Sequence, residues 1–145
     1  MESQPLGIIF FHKHPTSAKV SYLRSAEGGV VFGVDLPELA TLIDEETVLE
    51  KEEVVATHPA MLISSVSKSI GLTSDDLDLR KDFRARLDVP GDIVSIYLVR
   101  FKDMDPPFEA VEQAGAKFIA ITEARGLPPV QLQLLQKTYQ YIMEG

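Results

Sequence analysis

The segment Asp92–Phe101, DIVSIYLVRF, constrains the fold more than any other part of the chain. Its middle is apolar at consecutive positions, so as a strand it has no side to turn toward water. A strand apolar on both faces lies between two layers. The remaining elements must therefore cover a sheet from both sides, which is the plan of an α/β/α sandwich.

The covering elements can be read along the chain. Gly7–Lys13 (GIIFFHK) predicts a strand, and Val20–Leu23 and Val30–Val34 predict two more. Glu27-Gly28-Gly29 between the last two is a hairpin signal, because glycine accepts positive φ freely. Leu36–Ile43 predicts a short helix with Pro37 in its first turn. His58-Pro59 opens a helix running to Ile70, with Leu62, Ile63, Val66 and Ile70 on one apolar stripe and Gly71 as its stop. Leu79–Leu87 alternates, with Phe83, Ala85 and Leu87 on one side and Arg84 and Arg86 on the other. Pro90-Gly91 turns the chain into Asp92–Phe101. Asp103–Pro107 predicts a loop and Phe118–Ile121 a short strand. Pro128-Pro129 starts a last helix to Met143, packing through Leu134, Leu135, Thr138, Tyr139 and Ile142. The expected fold class is α/β: a mixed β-sheet sandwiched between helices.

At 145 residues and 45% hydrophobic, residues 1–145 suit one domain with a sizeable core. With no cysteine, disulfides, thiolate zinc sites and a cysteine nucleophile are excluded. Acids outnumber bases 22 to 14, a net charge of −8, which argues against general nucleic-acid binding. Apolar runs such as Val94–Val99 are too short to span a bilayer, and Met1–Pro5 lacks the basic start of a signal peptide. The expectation is a soluble cytoplasmic protein without membrane contact.

The stretch from Leu62 to Phe101 resembles the central part of the Nudix hydrolase family. There, a helix ending in glycine and an apolar residue is followed by an acidic turn and two long hairpin strands, then a short strand and a C-terminal helix. Ile63–Leu72 (ISSVSKSIGL) sits where the family has its signature helix, with Val66, Gly71 and Leu72 matching its apolar, glycine and apolar positions. The resemblance implies a Nudix-like sandwich and a cleft suited to nucleoside diphosphate derivatives. It also shows what is missing. The family's arginine position is Ser64, and its three glutamate positions are Ser65, Lys68 and Ser69. An upstream glutamate position falls on Ala56 and the upstream glycine position on Glu50.

Those carboxylates matter because magnesium takes hard oxygen ligands in octahedral geometry. The bound metal then neutralises pyrophosphate charge and activates water. Serine hydroxyls are weak neutral ligands, and Lys68 places a positive charge where the family places a cation. The expectation is a non-catalytic domain with a degenerate box, no cofactor, and a nucleotide-type small molecule or a protein as partner. Arg84, Arg86, Arg100, Tyr97 and Lys68 are its candidate ligand-binding residues: arginine forks hold phosphates and a tyrosine ring can stack a base. Against this, strand arginines are often surface ion-pair partners of acids such as Asp82, Asp88 and Asp92, and Tyr97 has the spacing of a core residue.

The alternative is a magnesium-dependent hydrolase of nucleoside diphosphate derivatives. Residues 35–53 carry eight acids opposed by Lys51. Glu46, Glu50 and Glu53 would share one face of a helix and could hold the metal, although a charge run is ordinarily a solvated face. His12, His14 and His58 are a weaker zinc candidate, since nothing in the sequence brings the third to the first two. The serines of residues 64–69 lack the surroundings of a nucleophile elbow. The oligomeric state stays open; the glutamine-rich, neutral face of the last helix is the candidate pairing surface.

Overall fold

The computed structural model describes residues 6–14, 19–26, 28–32, 40–42, 60–70, 77–80, 83, 85–89, 92–102, 108–124 and 126–144. Among them are seven strands: β1 (Leu6–Lys13), β2 (Val20–Arg24), β3 (Thr41–Leu42), β4 (Leu77–Leu79), β5 (Ala85–Val89), β6 (Asp92–Phe101) and β7 (Lys117–Ile119). Three α-helices accompany them: α1 (Ala60–Ile70), α2 (Phe108–Gln113) and α3 (Pro129–Glu144). A 3₁₀ turn covers Ile121–Glu123, where Glu123 Oε1 accepts from the Ala120 N–H at 2.8 Å.

All seven strands join one sheet in the order β3-β5-β6-β1-β2-β7, with β4 also paired to β6. The β1–β6 pairing is parallel and the others are antiparallel. The sheet is therefore mixed, and β6 lies inside it. Alternation along the two parallel strands builds two cores. Ile9 and Phe11 of β1 join Val94, Ile96 and Leu98 of β6 beneath Leu134, Leu135 and Ile142 of α3. Ile8 and Phe10 join Val99 and Phe101 beneath Ile63 of α1 and Val111 of α2. Helices thus cover both faces, as the two-sided apolar character of β6 requires.

Four expectations need correction. Leu79–Leu87 is not one strand but β4 and β5, both on the same edge of β6. Leu79 pairs with Val99 and Ala85 with Ile96, so six positions from Leu79 to Ala85 answer three from Ile96 to Val99, an excess of three. The excess is odd, and an odd slip exchanges the faces of a strand. Leu77 accordingly points to the α1 side, while Phe83, Ala85 and Leu87 point to the α3 side. Both cores are fed from one sheet edge.

Second, Val20–Arg24 pairs with β1; of the expected strand Val30–Val34, residues 33 and 34 lie outside the described residues, and among residues 30–32 Phe32 makes a bridge to Ile8. The turn itself is real. Gly28 has φ +100°, and its N–H donates to the Ser25 carbonyl at 2.9 Å. The Arg24 Nε donates to the Gly28 carbonyl at 2.9 Å, and the Val30 N–H donates to Gln131 Oε1 of α3 at 2.9 Å. Third, Thr41–Leu42, expected to close a helix from Leu36, is strand β3 against Asp88 and Leu87. Fourth, Tyr139 is exposed on α3, and Tyr141 takes its place with an edge-on contact to Phe83. Helix α2 was not expected: among its described side chains Val111 is the one deeply buried, which leaves no periodic stripe to read.

A buried polar link ties α3 to the sheet. Tyr22 is fully buried, and Thr138 Oγ1 donates to its hydroxyl at 3.0 Å or to the Leu135 carbonyl at 2.8 Å. Tyr22 Oη reaches that same carbonyl at 3.4 Å. Desolvation by burial pushes the Tyr22 phenol up to about 12. The neutral form is the one the fold accepts, so its contribution holds below the ordinary value near 10 and fades as pH rises through 12. The wild type should lose stability between pH 10 and 12 more steeply than Tyr22→Phe, measured as melting temperature by circular dichroism. A parallel pH dependence in both proteins would refute the assignment. Truncating Leu134, buried at the centre of the α3-side core, to alanine should cost about 2–5 kcal/mol in urea unfolding.

Candidate functional site

The α1 side of the sheet is divided into two regions. At the C-terminal half of β6, Val99 and Phe101 are sealed beneath Ile63 and Val111. Toward its N-terminal half, that same face carries Ser95 and Tyr97. The strand beside it carries Arg86, directly opposite Ser95 in the register, and Asp88. Residues opposed in an antiparallel pair put their side chains on one face, and diagonal neighbours remain within reach of long side chains. Ser95 is buried, Arg86 and Tyr97 are half-buried, and Asp88 is exposed. This polar quarter of an otherwise apolar face is the candidate site. It combines a guanidinium fork, a hydroxyl and an aromatic ring on one face of the sheet.

Helix α1 covers the neighbouring region. Ile63 and Val66 face inward, and Ser67 is buried with its Oγ donating to the Ser64 carbonyl at 3.0 Å. That bond satisfies the hydroxyl inside the core. Ser65 and Lys68 are exposed on the outer side, Lys68 in the last turn. The helix contains no acidic residue. The side chains of Leu62, Ser69 and Ile70 lie outside the described residues.

The structure separates the sequence candidates. Arg86 and Tyr97 share the α1 side. Arg100 does not: it pairs in register with Phe11 and Asp78, on the α3 side of the sheet. Arg84 lies outside the described residues, as do Glu46, Glu50 and Glu53, His58 and Asp82. His12 is buried on β1, and His14 is exposed just beyond it, its N–H donating to the Lys19 carbonyl at 2.8 Å. Among the described residues, no three His, Asp or Glu side chains converge as a metal site would require. Arg24 is engaged as the clamp on the Gly28 turn. Gln133, Gln136, Tyr139, Gln140 and Met143 are exposed along α3. Among the described residues, no helix is long and apolar enough to cross a membrane.

Sequence reasoning missed Ser95. A serine inside DIVSIYLVRF breaks the apolar run, and that break was the available signal. It also joined Arg100 to Arg86, because single-residue positions on different strands carry no face relation until the register is known.

No protein-family model and no curated protein sequence matches the chain. Among solved structures, the chain is similar to a mutT/nudix family protein from Listeria innocua. The two are 19% identical over 99% of this chain and 97% of that one, with a TM-score of 0.47.

Asp78 and Arg80 form an ion pair at 3.0 Å with both side chains more than a third exposed. Solvent screens such a pair. Asp78→Asn should change unfolding stability by less than about 1 kcal/mol in urea titration; a larger loss would show that the pair is coupled to the buried face beneath it.

Proposed function

We propose that this chain is a non-catalytic Nudix-like domain that binds a nucleotide-type small molecule on the α1 side of its sheet. One observation carries the reading. The segment resembling the signature helix is a helix packed on a mixed sheet, yet its outer surface holds Ser65 and Lys68 rather than carboxylates. A divalent cation needs hard anionic oxygens, and an ammonium group repels it. The same ammonium attracts a phosphate group directly.

The roles follow from chemistry. Arg86 offers a planar fork for a phosphate oxygen pair. Tyr97, half-buried beside it, offers a ring edge or face to a base. Lys68 adds a mobile point charge at the end of α1. Magnesium would bind only if Glu46, Glu50 and Glu53 formed a substitute site, which is the hydrolase alternative.

The test is a nitrogen–proton NMR titration with magnesium or manganese, then with ADP-ribose, following products in the same samples. The expected result is ADP-ribose-dependent shifts at Arg86, Ser95 and Tyr97 with no product. Arg86→Gln should weaken that binding at least about tenfold, the loss of one charge-assisted hydrogen bond. Metal-induced shifts across residues 44–53 with product would overturn the reading in favour of hydrolysis. No response to ADP-ribose or to a dinucleotide panel would overturn the small-molecule part and leave a protein partner.

A further inference from the structure

On the opposite side of the sheet, the register assembles a second group of cations. Arg100 of β6 is in register with Phe11 of β1 and with Asp78 of β4. Two residues beyond Phe11, Lys13 pairs with Val20, a member of the α3-side core, so Lys13 and Arg100 are diagonal neighbours on one face. Lys102 follows Arg100 by two residues and is exposed just past the strand end. Arg80 closes the group just past the end of β4, where its Nη1 donates to Asp78 Oδ2 at 3.0 Å.

The register thus brings Lys13, Arg100, Lys102 and Arg80 toward one end of the α3 side of the sheet, with Asp78 paired to Arg80 there, in a chain whose net charge is −8. Their location also has meaning. β1 and β6 are the parallel pair, and Lys13, Arg100 and Lys102 lie at their carboxyl ends. Open α/β sheets bind ligands outside the carboxyl ends of such strands. One more observation points to a missing partner. The Nε of Arg100 is buried and has no hydrogen-bond acceptor among the described residues. A buried donor left without an acceptor is costly, and arginine forks match phosphate oxygens in pairs.

We propose that Arg100, Lys13 and Lys102, flanked by Arg80, form a phosphate-binding site on the α3 side of the sheet at the carboxyl ends of β1 and β6. Arg100 presents the fork, and its Nε, enclosed in the unliganded chain, gains a phosphate oxygen as acceptor when the side chain turns toward the ligand. Lys13 and Lys102 neutralise the remaining charge. Asp78 holds Arg80 at the rim and keeps the site from attracting anions indiscriminately. The ligand class is a small molecule with at least one dianionic phosphate. The site is separate from the Arg86–Tyr97 face, and neither depends on the other.

The experiment is a nitrogen–proton NMR titration with inorganic pyrophosphate at constant ionic strength, observing backbone amides and the arginine Nε–H signals. Saturable shifts are expected at Lys13, Arg100 and Lys102 and at the Arg100 Nε–H. Arg100→Gln should weaken binding at least about tenfold. Lys13→Gln, at a strand end, supplies a second variant should Arg100→Gln fold poorly, and should weaken binding severalfold; Lys117→Gln on β7 controls for net charge and should change nothing. Repeating the titration with ADP distinguishes a nucleotide from free phosphate: tighter ADP binding at the same residues assigns the former and equal binding the latter. Shifts that grow linearly, or that sodium chloride reproduces, overturn the site. Shifts confined to Arg86, Ser95 and Tyr97 also overturn it while leaving the α1-side reading in place. Equal shifts with citrate overturn the assignment to phosphate.

Discussion

The structure depends on β6 being buried on both faces and paired on both edges. Its backbone is held by β1 on one side and by β4 and β5 on the other. Its side chains alternate between the core under α3 and the core under α1 and α2. No arrangement with a single layer of cover satisfies that alternation, because each exposed isoleucine-sized side chain forfeits about 1.5–3 kcal/mol of burial. The helices occupy their places because β6 and its parallel neighbour β1 need cover on both sides.

The break between β4 and β5 follows from the same demand. The edge of β6 needs apolar partners for both cores, and a continuous strand supplies only one set in a fixed phase. Three extra residues shift the phase, so Leu77 fills the α1 side while Ala85 and Leu87 fill the other. The shift also places charged residues on opposite sides. Arg86 emerges beside Ser95 on the α1 side, while Asp78 emerges beside Arg100 on the α3 side. One short irregularity therefore underlies two basic loci of different composition. The α1-side locus has an aromatic neighbour in Tyr97. The α3-side locus has clustered cations and the unpartnered Arg100 Nε.

Strong local signals were read well. Asp92–Phe101 has the bounds of β6, Gly7–Lys13 lies within β1, and the proline-started last helix begins at Pro129. Each has a long periodic or continuous apolar pattern, where burial and propensity agree. Weak or composite signals were not. Phe32 lies in an apolar run that reads as a strand, and among the described residues 30–32 it makes a bridge to Ile8. Thr41–Leu42 follows a proline that favours a helix start, yet it pairs with β5. Tyr139 and Tyr141 are two residues apart, about 200° around α3, at opposite edges of its packing stripe, and the contact with Phe83 selects Tyr141.

By itself the sequence determined that a two-faced strand must be covered on both sides, that no cysteine chemistry is available, and that the stretch forming α1 carries four serines and a lysine and no carboxylate. These follow from residue type and short-range spacing alone. Tertiary structure decided which side of the sheet each charge occupies. Arg86 and Arg100 are fourteen positions apart in the chain, and nothing local relates them. Their separation onto opposite faces follows from strand register, and register is set by the simultaneous packing of two cores.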